Sequence, residues 1–304
     1  MSDLRWGLCC QFLDSPIKFR QATHRYVSTL SGDARRAYLS DIVRSNAEAL
    51  GAAIERCADL GIGAFRISSQ IMPLATHPVS GYDPADLDDG VAIVRAYRRA
   101  GARARKLDIR LSFHPDQFVV LNSESERVAD ASLQEMRHQA RVALLVGAEA
   151  LTLHVGGRAG GAEEALSRLE AAVTRLDGPA RSLVALENDD RLFAPAVLLP
   201  FCERLGIRFI YDIHHHRCNP DGMSVNEATT RAIGTWGERE PWMHISSPKG
   251  GWHAGNPRFH AEFIDPEDFP REWIGMRMTL DVEAKEKERA VLAIMSAVET
   301  LKIN

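Results

Sequence analysis

Eight short apolar runs, each followed by a longer stretch with helical periodicity, recur from one end of the chain to the other. The runs cover residues 6–10, 64–68, 109–113, 150–154, 183–187, 208–212, 242–245 and 276–281. Helical patterns between them include 34–60, 87–106, 132–146, 162–175 and 194–205. Gly61, Gly101, Gly147 and Gly206 stand just before the next run, where a helix C-terminus is expected to need a left-handed residue. Near-continuous apolar strands alternating with helices predict a parallel sheet covered by helices on its faces. Eight such units in 304 residues favour an α/β fold of the (β/α)8 TIM-barrel type over an open doubly wound sheet. No composition shift or long linker divides the chain, so a single domain over residues 1–304 is expected. The polar stretch 15–32 reads as an insertion after the first strand, on the face that carries function.

Bulk properties narrow the class further. No run of about 18 apolar residues occurs, and no basic region followed by an apolar run opens the sequence. Cys9, Cys10, Cys57, Cys202 and Cys218 contain no CxxC pair, which points to reduced thiols and a cytoplasmic location. The net charge of −4 means that any nucleic-acid contact must be a local basic surface.

In a barrel the reacting groups stand at the C-terminal strand ends. His114 follows the third run, His154 and Glu187 close the fourth and fifth, and Asp212 closes the sixth, with His214, His215 and His216 just beyond. His244 stands in the seventh run, Glu283 follows the eighth, and His77 and His260 fall in the loops after the second and seventh. Any one of these alone is as well explained as an ordinary polar strand end. Their convergence on one rim is not, and buried carboxylates require partners or metal. Imidazole mixed with carboxylate suits Mn2+, Zn2+ or Fe2+ better than Ca2+. The donor number exceeds what one ion needs, so two or three ions are expected, a grouping that suits phosphoester cleavage. A GxSxG elbow is absent, and Gly156–Gly161 lacks the lysine of a P-loop. Of the three consecutive histidines, strand alternation would turn only one or two inward.

Longer blocks carry a family resemblance. Phe65-Arg66-Ile67-Ser68-Ser69, Ala75-Thr76-His77-Pro78, His114-Pro115-Asp116-Gln117-Phe118-Val119-Val120-Leu121-Asn122-Ser123 and Leu153-His154-Val155-Gly156-Gly157 come first. Leu186-Glu187-Asn188-Asp189-Asp190-Arg191, Asp212-Ile213-His214-His215-His216-Arg217-Cys218-Asn219, His244-Ile245-Ser246-Ser247-Pro248-Lys249 and Glu283-Ala284-Lys285 follow. In this order, over nearly the whole chain, they resemble the UV damage endonucleases. The resemblance implies a TIM barrel with a cluster of metal ions, commonly manganese, that cuts a DNA strand 5′ to UV photoproducts. It implies metal ligands at His77, His114, His154, Glu187, Asp212, His215, His244, His260 and Glu283.

Three positions depart from the family pattern. Gln117 keeps the glutamine that meets the lesion, but Leu8 or Trp6 falls where a first-strand tyrosine is expected, and Asp116 replaces a glycine. Trp242 stands where family members can carry a metal-site lysine. Trp252 is a candidate replacement stacking group, with packing as its alternative role. Arg158, Arg191, Arg217, Lys249 and Arg258 are loop bases suited to phosphate. The expected catalytic set is Glu187, His244 and Lys249; the expected substrate contacts are Gln117, Phe118, Asn122, Arg158, Arg191 and Trp252. The expected partner is double-stranded DNA with UV lesions, handled by a monomer without membrane attachment. A small-molecule metalloenzyme on the same scaffold, an isomerase or an oxidative enzyme, is the main rival. A basic groove at the mouth would favour DNA, and a closed acidic pocket a metabolite. A vestigial, non-catalytic binding protein fits the intact donor positions least well.

Overall fold

Alternate residues of each strand face opposite ways, and here one parity lines a closed lumen. The fold comes from a computed structural model that describes residues 4–253 and 255–302. Its strands are β1 Leu4–Cys9, β2 Ala64–Ser68, β3 Arg110–His114, β4 Ala150–His154, β5 Val184–Glu187, β6 Arg208–Asp212, β7 Trp242–Ile245 and β8 Met278–Val282. All neighbours are parallel, and β1 pairs with β8 to close the barrel. The helices are α1 His24–Val27, α2 Gly32–Asp59, α3 Gly90–Lys106, α4 Glu126–Val146 and α5 Ala162–Thr174. They continue with α6 Gly178–Leu183, α7 Pro195–Leu205, α8 Ile213–Cys218, α9 Val225–Gly234 and α10 Lys287–Leu301. Among the described residues no helix is long and apolar enough to cross a membrane.

The lumen is filled in layers. At the N-terminal end Arg5 Nε meets Glu240 at 2.9 Å, Arg110 holds Glu149 at 2.8 Å, and Thr279 donates to Glu240 at 2.6 Å. Above them Ala64, Ala150, Ala185, Ile210 and Trp242 form a small apolar plug together with Trp236. Arg110 stacks over the Trp242 ring at 4.3 Å. The top layer is polar, and it is the site. The opposite parity of the strands, Leu8, Phe65, Leu111, Leu151, Leu186, Phe209, Met243 and Leu280 among it, packs in the main core beneath the helices.

Glycine accounts for several element ends and one close approach. Gly61, Gly147 and Gly206 have φ of +71°, +74° and +64°, as helix ends require. Gly101 does not end its helix: it lies inside α3, and a Cβ there would overlap the Val146 carbonyl at the end of α4. It permits the two helices to touch, a purpose the same letter conceals in sequence. The strand β1 stops at Cys9 because Cys10 turns the chain at φ +65°. The stretch after it crosses the C-terminal face, tied down by buried Asn46, whose amide bonds both Arg20 N and O, at 2.7 and 3.0 Å.

Candidate metal centre at the barrel mouth

Glu187 ends β5 with only 1% of its surface exposed, in the middle of four imidazoles. His114 Nε2 lies 3.0 Å and His154 Nε2 3.7 Å from Oε2, while His244 Nδ1 lies 3.0 Å and His215 Nδ1 3.3 Å from Oε1. Each of these histidines comes from a different strand end or the turn after it, so closure of the barrel is what assembles them. Three donor groups result: His114 with His154 and Glu187, Glu187 with Asp212 and His215, and Glu187 with His244 and Glu283. Glu187 belongs to all three.

Local structure fixes the donors. Asn188 bonds the Asp212 backbone twice, donating from Nδ2 to Asp212 O at 2.8 Å and accepting from Asp212 N on Oδ1 at 2.9 Å, locking the ends of β5 and β6 together. Asp212 Oδ1 caps α8 by accepting His215 N at 2.7 Å. Because the three consecutive histidines lie on this short helix rather than on a strand, they fan out. His215 faces Glu187, His214 packs on Trp252 and His260, and His216 bonds Tyr211 and Asp221 at 2.7 and 2.9 Å. After β7 the chain doubles back, Lys249 N bonding Phe259 O at 2.7 Å, and carries His260 Nδ1 to 3.6 Å from Glu283.

The electrostatics are those of a cation site. Burial opposes ionisation of Glu187, but the charges of His244 and His154 and hydrogen bonds from His114 and His215 outweigh it and hold the carboxyl well below its usual range. Burial likewise opposes the charge on His244, yet Glu187 and Glu283 push it up to about 9. At His154 burial, helped by the neighbouring His114 and His215, outweighs the pull of Glu187, and the imidazole is lowered. Asp212 Oδ2 and His154 Nδ1 have no hydrogen-bond partner among the described residues, although both are buried. Buried polar atoms without partners are rare, and donor atoms left free around a shared carboxylate fit divalent ions. The imidazole–carboxylate mixture suits Mn2+, Zn2+ or Fe2+.

Above the donors opens a cavity of about 740 Å3, lined by Gln117, Arg191, Leu192 and Arg258 as well as His114, His154, His215, His260 and Glu283. Asp189 shapes its wall by accepting the amides of Arg191, Leu192 and Phe193 at 2.8, 2.5 and 3.1 Å. Arg258 Nε bonds Asp190 O at 3.1 Å, which keeps this guanidinium at the rim.

Several sequence expectations fall elsewhere in the structure. His77 is not in any of the donor groups: its Nδ1 accepts Val79 N and Ser80 N, both at 3.1 Å, and its ring stacks on His24 at 4.1 Å. Trp252 does not line the cavity; its Nε1 donates to Asp268 at 2.6 Å and its ring covers His214. Asn122 is buried and ties down the glycine-rich turn through Nδ2 to Gly157 O at 2.6 Å, so it holds the loop rather than a ligand. Lys249 and Arg158 are exposed and outside the cavity lining, as is Phe118, which stands 63% exposed beside Gln117. Leu8 and Trp6 face the helices, not the mouth, because they share the outward parity of β1; Trp6 packs on Phe269. Trp242 plugs the lumen.

Sequence reading passed over Arg66. Its NH1 lies 2.5 Å from Glu283 Oε1 at the wall of the centre. An arginine between Ala64 and Ser68 on the inward parity of a buried strand was the available signal, since such a charge needs a partner.

Fold and site together define a class: a (β/α)8 barrel whose strand ends gather histidines and carboxylates into clusters that could hold metal. The profile of one family, UV-endonuclease UvdE, matches residues 4–304, and the chain belongs to that family. The UV DNA damage endonuclease of Deinococcus radiodurans is 34% identical over 95% of this chain and 93% of its own length. The crystal structure of SacUVDE superposes with a TM-score of 0.86 at 29% identity, covering 98% of this chain and 99% of that one. The D-psicose 3-epimerase of Clostridium cellulolyticum superposes at a TM-score of 0.56 with 11% identity over 98% of each chain, which is a likeness of fold alone.

Proposed function

We propose that this protein is a metal-dependent DNA repair endonuclease that cuts the phosphodiester 5′ to UV photoproducts in double-stranded DNA. The observation that carries the reading is Glu187, a buried carboxylate shared by three donor groups, whose partners His114, His154, His215 and Glu283 line a cavity that also presents Arg191, Arg258 and Gln117. The three groups would hold two or three divalent ions, with manganese the expected metal. Bound there, such ions lower the pKa of water and neutralise charge developing on the phosphate and the departing 3′ oxygen.

The chain's own groups do the rest. Arg191 and Arg258 meet the flanking phosphates, and Asp190 holds Arg258 at the rim. Gln117, exposed at the lip after β3, meets the lesion. Glu187, Asp212 and His244 of the donor groups are buried at the strand ends, where a base pair still stacked in a straight duplex does not reach. The damaged dinucleotide must leave the stack, at a cost of a few kcal/mol that a lesion reduces. Arg191 and Arg258 beside the donor groups are suited to phosphate, and bound cations would offset Asp116, Asp189 and Asp190 in the same wall. The family match and the five free cysteines are compatible with a cytoplasmic monomer. The test is incision of UV-irradiated supercoiled plasmid with Mn2+. Relaxation of irradiated but not unirradiated plasmid is expected; metal-loaded protein that relaxes neither would overturn the reading.

A further inference from the structure

Below the metal centre lies a set of buried polar atoms that no step above uses. Asp281, on β8, is fully buried inside the barrel, and neither of its carboxylate oxygens has a hydrogen-bond partner among the described residues. Three residues beside it also carry a buried nitrogen without a well-aligned partner: His244 Nε2, Trp242 Nε1 and Arg66 Nε. His244 is the register partner of Asp281, and its Nε2 lies 3.7 Å from Asp281 Oδ2. The indole of Trp242 and the guanidinium of Arg66 adjoin the same carboxyl.

The opposite wall makes room for that carboxyl. Gly7 is the register partner of Asp281 on β1, and a Cβ built on Gly7 would overlap Asp281 Oδ1. Gly7 is not among the positive-φ glycines, so space, not backbone conformation, is what requires glycine there. A fold that clears a place for a buried carboxylate, and leaves donors facing it, has a use for the charge.

The two nitrogens of His244 point in opposite directions. Nδ1 faces Glu187 and Glu283 at 3.0 and 3.4 Å, on the side of the donor groups, and Nε2 faces Asp281. A metal-binding imidazole whose second nitrogen meets a carboxylate has its tautomer and ring orientation set by that carboxylate. We infer that Asp281 is a positioning residue of the metal centre: it accepts the Nε2–H of His244 and so holds Nδ1 free toward Glu187 and Glu283. The Trp242 indole and the Arg66 guanidinium adjoin the carboxyl and oppose the cost of burying its charge. This rests on the metal-centre reading above.

The test compares wild type, D281L and D281N. Calorimetric titration of each metal-free protein with Mn2+ is paired with its thermal midpoint and with the imidazole proton spectrum of the Zn2+-loaded form. If Asp281 positions His244, D281L weakens Mn2+ binding at one class of site by about 10–100-fold and loses the slowly exchanging Nε2 proton of His244. Its metal-free midpoint falls as well, because His244, Trp242 and Arg66 lose the carboxylate they face, so the site-specific Mn2+ loss and the His244 proton are the readouts that a merely structural role would not move. D281N keeps an acceptor oxygen and falls between the two, and it carries the test alone if D281L does not fold. Unchanged Mn2+ affinity with an unchanged His244 proton, in whichever variant folds, overturns the inference. A wild type that binds no Mn2+ overturns the metal centre itself, which is a separate and recognisable result.

Discussion

Replacing Glu187 by glutamine removes one charge from the middle of all three donor groups while keeping the side-chain shape. Each group then falls from three strong donors to two and a weak amide oxygen. A ligand at about 100 times its dissociation constant stabilises a protein by about 2.7 kcal/mol per site. For a domain of this size that raises the midpoint of thermal unfolding by about 5 °C or more. Wild type should therefore show a Mn2+-dependent rise of this order, and E187Q should show almost none. His114→Ala, which touches only one of the three groups, should keep part of the rise. The metal-free midpoint of E187Q should itself fall, since the imidazoles around Glu187 lose their counter-charge, so the Mn2+-dependent rise is read as a difference within each variant. Incision by E187Q should fall by about 100–1,000-fold, the equivalent of roughly 3–4 kcal/mol of transition-state stabilisation. Thermal scans with and without Mn2+, followed by single-turnover nicking, measure both quantities. A Mn2+-induced rise in E187Q equal to that of wild type would refute the shared-carboxylate arrangement.

Other positions give independent checks. Arg191→Ala and Arg258→Ala should each weaken DNA binding and lower the slope of log affinity against log salt by about 0.9; filter binding across salt concentrations reads this, and Arg158→Ala serves as the low-effect control. Asp221 accepts Ala196 N and Met223 N and faces His216, contacts that outweigh burial and lower its pKa. Its stabilisation is present above the unfolded value near ~3.9 and lost as pH falls through the lower folded value. Asp221→Asn should thus cost about 1–3 kcal/mol at neutral pH and flatten the acid limb of a urea-denaturation pH profile. Trp252→Phe, losing the bond to Asp268, should cost about 1–2 kcal/mol of stability and leave DNA affinity unchanged; a large loss of affinity would restore Trp252 as a stacking group.

Much of the barrel could be read in advance because its signals are local. Strand runs and helix-ending glycines place all eight strands within about two residues. Strand-end position likewise singled out Glu187, Asp212, His244 and Glu283, because one rule of barrel geometry governs them all. Other features depend on contacts between distant segments and were illegible for that reason. Gly101 reads as a helix end until α4 is seen against it. His77 reads as a ligand until the amides of Val79 and Ser80 are found on its Nδ1. Leu8 reads as a lost lesion probe, whereas β1 parity turns it toward the helices. Asp281 looked like an ordinary strand residue, and only closure of β8 on β1 and β7 shows what surrounds it.

The most direct measurement uses an end-labelled duplex carrying one UV photoproduct at a defined position, incubated with metal-free protein to which Mn2+ is added back stepwise. The expected result is a single product ending at the phosphodiester immediately 5′ of the lesion. Its yield should follow Mn2+ occupancy and vanish in E187Q. Cleavage that ignores the lesion, or an intact duplex at full Mn2+ occupancy, would contradict a metal centre built for damaged DNA.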